Sequence, residues 1–162
     1  MKYRFLISLT IGIFLSLISV GLFTMWQNFK QLEAIFRSSL IRGMALLLGY
    51  NFSFDIISFF ITGNSDLFSF LAPALLAWIF VGYITGSIAK GWRSGLTSGT
   101  LVYVFMILAW ILLSVIAGED LMGFFQGNQL IATVGGLLGA LLGVAAGSIS
   151  GGYISGPEEE YY

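Results

Sequence analysis

Long apolar runs alternate with short polar punctuation along this chain. Four of the runs, at about 5–26, 67–89, 96–117 and 129–155, are long enough to cross roughly 30 Å of hydrocarbon at about 1.5 Å per residue. The pattern predicts an all-α polytopic membrane protein forming a single membrane domain, with four transmembrane helices and an interfacial or re-entrant segment after the first. Five spans is the alternative.

The first run opens on Lys2 and Arg4, carries Tyr3 at one boundary and closes on Trp26 at the other, where interfacial aromatics belong. Its apolar stretch exceeds the roughly 7–15 residues of a signal peptide, so a retained span is expected. Ser8, Gly12 and Ser16 form a short stripe of small residues fitted to receive another helix.

The segment 29–63 is mixed. Phe29, Leu32, Phe36 and Leu40 fall on one helical face, flanked by Lys30, Glu33 and Arg37, with Glu33 spaced to pair with Arg37. That predicts an interfacial amphipathic helix. Residues 43–63 have the length of a span but hold Asn51 and Asp55 near the middle, and an Asp at a span centre costs about 2.5–3.5 kcal/mol. A surface-lying or re-entrant segment is expected there. Basic residues score five spans slightly better than four. Both arrangements place the Lys90–Arg93 turn and the C-terminus in the cytoplasm, and Glu119 and Asp120 outside.

Pro73 falls in the first or second turn of its run, where it is tolerated, and Gly82 and Gly86 give that run a GxxxG pair. The turn at 90–95 is short, so the next run must return antiparallel. Trp78 and Trp110 lie mid-span and are expected to pack against the glycine stripe of the last run, with a ligand-lining role as the alternative. The last run carries Gly135, Gly139, Gly143, Gly147 and Gly151 at a spacing of four, beside a second stripe of Gly136, Ala140, Val144, Ser148 and Gly152. In lipid, such small-residue faces promote helix association by close backbone approach. Two adjoining stripes exceed what one neighbour needs, which points to a homo-oligomer or a subunit of a larger membrane complex. Gly156-Pro157 stops the helix, and the tail 157–162, with Glu158, Glu159 and Glu160, is expected to leave it as a solvated extension. Gly82-Tyr83-Ile84-Thr85-Gly86 followed by Gly91 is echoed by Gly147-Ser148-Ile149-Ser150-Gly151 followed by Gly156, as in a parallel repeat.

Composition narrows the chemistry. The chain is 57% hydrophobic and only 9% charged, against about 25% charged in soluble domains, which makes the bilayer its medium. With net charge −1 and no basic block, nucleic acid is not an expected partner. Cysteine and histidine are absent, removing disulfides, thiolate or imidazole metal sites and the usual nucleophile pairs. No phosphate-binding loop or carboxylate cluster occurs, so neither cofactor nor metal is expected, and the chain reads as a non-enzyme. Asp55, Glu119 and Asp120 are the candidate polar or vestibule residues, with helix caps or solvated turns as the plainer explanation. Thr85, Ser87, Thr133 and Ser148 are candidates for lining a narrow path.

On its Gly-rich hairpins, residues 67–156 resemble small, uncharacterised prokaryotic membrane proteins. The resemblance implies a fold class and no activity. The expected function is a structural or accessory subunit of the cell membrane that assembles through small-residue helix faces; a small channel or uncoupled transporter is the alternative.

Overall fold

A computed structural model describes residues 2–23, 29–62 and 70–156. Regular structure among them is entirely helical: α1 (Lys2–Phe23), α2 (Phe29–Ser38), α3 (Leu40–Tyr50), α4 (Ile56–Ile61), α5 (Pro73–Ala89), α6 (Trp92–Ile116), α7 (Leu121–Phe124) and α8 (Gly127–Ile154). Trp26, Asp66, the start of the second expected span at 67–69 and the acidic tail lie outside the described residues.

Among the described residues, three helices are long and apolar enough to cross a membrane: Tyr3–Phe23, Trp92–Ile116 and Gln129–Ile154, with mean hydropathy 2.4, 2.4 and 2.0. The remaining expected span is shorter. α5 has 17 residues, about 25 Å of helix, and begins on Pro73, whose fixed φ and missing N–H suit a first turn.

The segment after α1 departs from a single amphipathic helix. In α2, Arg37 pairs with Glu33 at 2.6 Å, but the helix stops at Ser38. Ser39 is extended (φ −156°, ψ 115°), and its hydroxyl accepts the Arg42 N–H at 3.4 Å to cap α3. Leu40 therefore opens α3 instead of extending the α2 face. Helical structure breaks again at 51–55, where Asp55 caps α4. No helix of spanning length runs through the described residues 29–62, so nothing continuous there carries a fifth span.

α5 and α8 run parallel. Leu75 and Trp78 lie against Gly143, Ile79 against Gly147 and Tyr83 against Gly151. The contacts are reciprocal. A Cβ on Gly82 would meet the Val144 carbonyl and the Ser148 nitrogen; one on Gly147 would meet the Ile79 carbonyl and the Tyr83 nitrogen. Gly147, Gly151 and Gly156 each stand 65 positions beyond Gly82, Gly86 and Gly91, and this same offset relates the atoms they touch. Locally, the two helices are thus related by a two-fold axis along their length.

α6 returns antiparallel in the groove of that pair. Gly95 rests on Gly86, Ser148 and Gly152, Gly99 on Ser148 and Val144, and the Tyr103 hydroxyl donates to the Leu137 carbonyl at 3.0 Å. The α5–α6 link is tight: Lys90 and Gly91 both have positive φ (54° and 79°), and the Gly91 N–H donates to the carbonyls of Gly152 and Gly156 at 3.1 and 3.0 Å. α1 crosses α5 and α6 with its small-residue stripe inward, Ser8, Gly12 and Ser16 all being buried. The Ser8 hydroxyl donates to the Thr85 carbonyl and meets the Ser98 hydroxyl, both at 2.7 Å. The bundle therefore has a basic end, with Arg4, Lys90 and Arg93, and an acidic end, with Glu119 and Asp120.

Candidate functional site

Because α5 begins opposite the middle of α8, it covers Gly143, Gly147 and Gly151 and leaves the acidic-end half of the glycine stripe to something else. That half is taken by the turn between α3 and α4. Gly135 abuts the Asp55 carboxylate, Gly136 the Phe52 carbonyl, and a Cβ on Gly139 would lie 2.7 Å from the Phe54 carbonyl oxygen. Gly139 is twelve residues into α8, about 18 Å from the helix start, so the turn reaches far down the bundle.

Irregular backbone at such depth needs its polar groups satisfied. Asn51, 2% exposed, receives the Trp78 Nε1–H on its carbonyl at 2.7 Å, and its side-chain amide donates to the Leu47 carbonyl at 3.4 Å. Asp55 Oδ1 accepts the N–H groups of Ile57 and Ser58 at 3.0 Å each, and Oδ2 accepts the Ser58 hydroxyl. Phe52 inserts between Trp78, Tyr103 and Trp110, with ring centroids 5.8, 6.3 and 5.5 Å away.

Behind the turn lies a cavity of about 410 Å³, bounded by α3, the end of α6, α7 and the start of α8. Asp55 and Glu119 both line it, with Trp110, Phe124, Tyr50 and Thr133. Thr133 donates to the Phe124 carbonyl at 2.8 Å, and the Phe124 ring meets Trp110 at 5.8 Å, so α7 is held as a rim over the start of α8. Asp120 is not on the wall: its carboxylate caps α7 through the Met122 N–H at 3.1 Å. Two of the three acidic candidates thus share one space, although 64 positions separate them in sequence.

No family model matches this chain, and no curated protein or solved structure is significantly similar to it. Its chemistry is read from its own residues. Among the described residues, no three Asp, Glu, His or Cys side chains come together as a metal-binding group.

The remaining candidates separate by depth. Thr133 is on the cavity, whereas Thr85 and Ser148 are fully buried nearer the basic end: the Thr85 hydroxyl donates within its own helix, to the Val81 and Gly82 carbonyls, and the Ser148 hydroxyl has no hydrogen-bond partner among the described residues. Ser87 reaches the Gly151 carbonyl at 3.5 Å. Trp78, Tyr103, Met106 and Val144, all buried in one apolar cluster, stand between the cavity and the Thr85 and Ser148 hydroxyls. Trp78 packs against Gly143 as its position suggested, while Trp110 lies over Gly49 and forms cavity wall. Sequence reasoning missed Tyr50, Phe52 and Phe124 as parts of the site. The available signal was the Asn51–Asp55 break itself, polar at both ends and aromatic between, flanked by helical patterns.

Proposed function

We propose that the chain is an accessory cell-membrane protein that binds a small solute in the cavity at its outer end, and that it is not an enzyme. The supporting observation is the cavity: about 410 Å³, within the roughly 300–1,000 Å³ of small-molecule sites, with aromatic walls and a few convergent polar groups. In this reading the protein is multi-pass with a cytoplasmic C-terminus, α5 is the short fourth span, and α3–α4 is a re-entrant hairpin. Arg4, Lys90 and Arg93 at one end fit that orientation, against Arg37 and Arg42 on the segment that it places outside. The glycine stripes act as a zipper within the chain, because α5 and the 51–56 turn occupy them.

Orientation is tested by single cysteines in this cysteine-free chain: an impermeant maleimide should label Met122→Cys but not Tyr153→Cys in intact cells. Binding is tested by titrating solutes against the reconstituted protein and its Ala132→Trp variant, in which an indole fills the cavity from an exposed wall position. Saturable binding lost in the variant supports the reading; equal binding by both proteins refutes it.

A second reading, uncoupled transport, is favoured by the four buried hydroxyls of Ser8, Thr85, Ser98 and Ser148 beyond the apolar plug, of which Ser148 has no hydrogen-bond partner among the described residues. Liposome flux of the bound solute separates transport from capture alone. Assembly with itself or a larger complex would use outward faces such as Leu101, Phe105, Leu108 and Leu112 of α6, and native mass measurement in nanodiscs tests it.

A further inference from the structure

We infer that the cavity is shaped for an organic cation with apolar substituents, a quaternary ammonium or a protonated amine; this rests on the solute-binding reading and names its ligand class. Charge is the first observation. Among the described residues, Asp55 and Glu119 are on the wall and no lysine or arginine is. Asp55 is fixed by its cap, and the Glu119 carboxylate has no ion-pair or hydrogen-bond partner among the described residues. The second observation is the ring system. Phe124, Trp110 and Phe52 follow one another at centroid spacings of 5.8 and 5.5 Å, with Tyr50 on the same wall, and aromatic faces attract a cation within about 6 Å, most strongly when it is desolvated.

The alternatives fit less well. An anion meets two carboxylates. A neutral apolar solute covers the rings but leaves Glu119 unpaired in a space it has dried. A metal ion of the calcium type wants six to eight oxygens, while the wall offers two carboxylates, one of them already occupied as a cap.

The probes are benzyltrimethylammonium and its uncharged isostere neopentylbenzene, each titrated into the full chain in phosphatidylcholine nanodiscs with tryptophan fluorescence as readout. The cation should saturate and bind about tenfold tighter than the isostere, and Glu119→Gln should weaken the cation about tenfold without moving the isostere. Phe124→Leu, at a half-buried position, should weaken the cation less and leave thermal unfolding near that of the parent. Equal affinity for the two probes, or no effect of Glu119→Gln, overturns the cation assignment and leaves solute binding standing. Failure of both probes to saturate, with Ala132→Trp indistinguishable from the parent, overturns the solute-binding reading as well.

Discussion

Replacing Gly147 by alanine puts a methyl group between α5 and α8 where there is no room for it. The new Cβ would meet the Ile79 carbonyl oxygen and would lie 2.8 Å from the Tyr83 nitrogen and 2.9 Å from the Ile79 carbonyl carbon. These are backbone atoms of a helix held at its far end by the Gly91 hydrogen bonds, so no side chain can rotate away and the helices must part. Opening a gap of 0.5–1 Å forfeits about a quarter to a half of each dispersion contact along the seam, and overpacking of this kind costs about 1–3 kcal/mol. Alanine returns up to about 1 kcal/mol through its better helix propensity; because the clash is with rigid backbone, the upper part of that range, about 2–3 kcal/mol, applies, and the net loss is about 1–2 kcal/mol. Lipid offers little hydrophobic compensation for helices that separate. Equilibrium unfolding in mixed micelles, followed by tryptophan fluorescence, measures the loss. Gly123→Ala is the control, because its Cβ would have its nearest neighbour at 3.5 Å and should change stability by less than about 0.5 kcal/mol. Gly82→Ala should resemble Gly147→Ala through the local two-fold, and the double variant should cost less than the sum, since either methyl alone forces the same separation. A Gly147→Ala protein as stable as its parent would refute the close parallel pairing of α5 and α8.

Other expectations concern the turn and α1. Trp78→Phe keeps the ring but strands the buried Asn51 carbonyl, so thermal unfolding should show a loss of about 1–3 kcal/mol. Asp55→Ala should cost about 1 kcal/mol by uncapping α4, and Asp55→Ser should recover most of it, as read by the same unfolding assay. Ser8→Ala should cost about 1 kcal/mol and loosen α1, seen as faster proteolysis of that helix, because it removes both buried hydroxyl contacts to α5 and α6.

The long apolar runs announce α1, α6 and α8 to within a few residues, since length, hydropathy and end signals such as Gly156-Pro157 act locally. The short turn at Lys90 and the echoed glycines also made the parallel α5–α8 arrangement legible. The owner of the backbone that the glycines admit was not legible. Spacing of four states only that something comes close, and the stripe turned out to serve two tenants, a helix at Gly143–Gly151 and an irregular turn at Gly135–Gly139. The surplus of small residues that suggested a second protein is absorbed within the chain. Asp55 and Glu119 could not be joined in advance, because their proximity depends on how far the α3–α4 hairpin descends, a tertiary fact with no local signature. Asp120, a residue away from Glu119, turned its carboxylate into a cap instead.

The turn's resting place, Gly135, Gly136 and Gly139, belongs to α8, which is made after all the other described helices. Until α8 is in place, the Phe52 and Phe54 carbonyls and the Asp55 carboxylate lack the glycine face they lie against, and the turn is left uncovered. A chain halted before residue 130 should therefore be cut by proteases in the 51–55 turn more readily than the full chain, however well its first helices are seated.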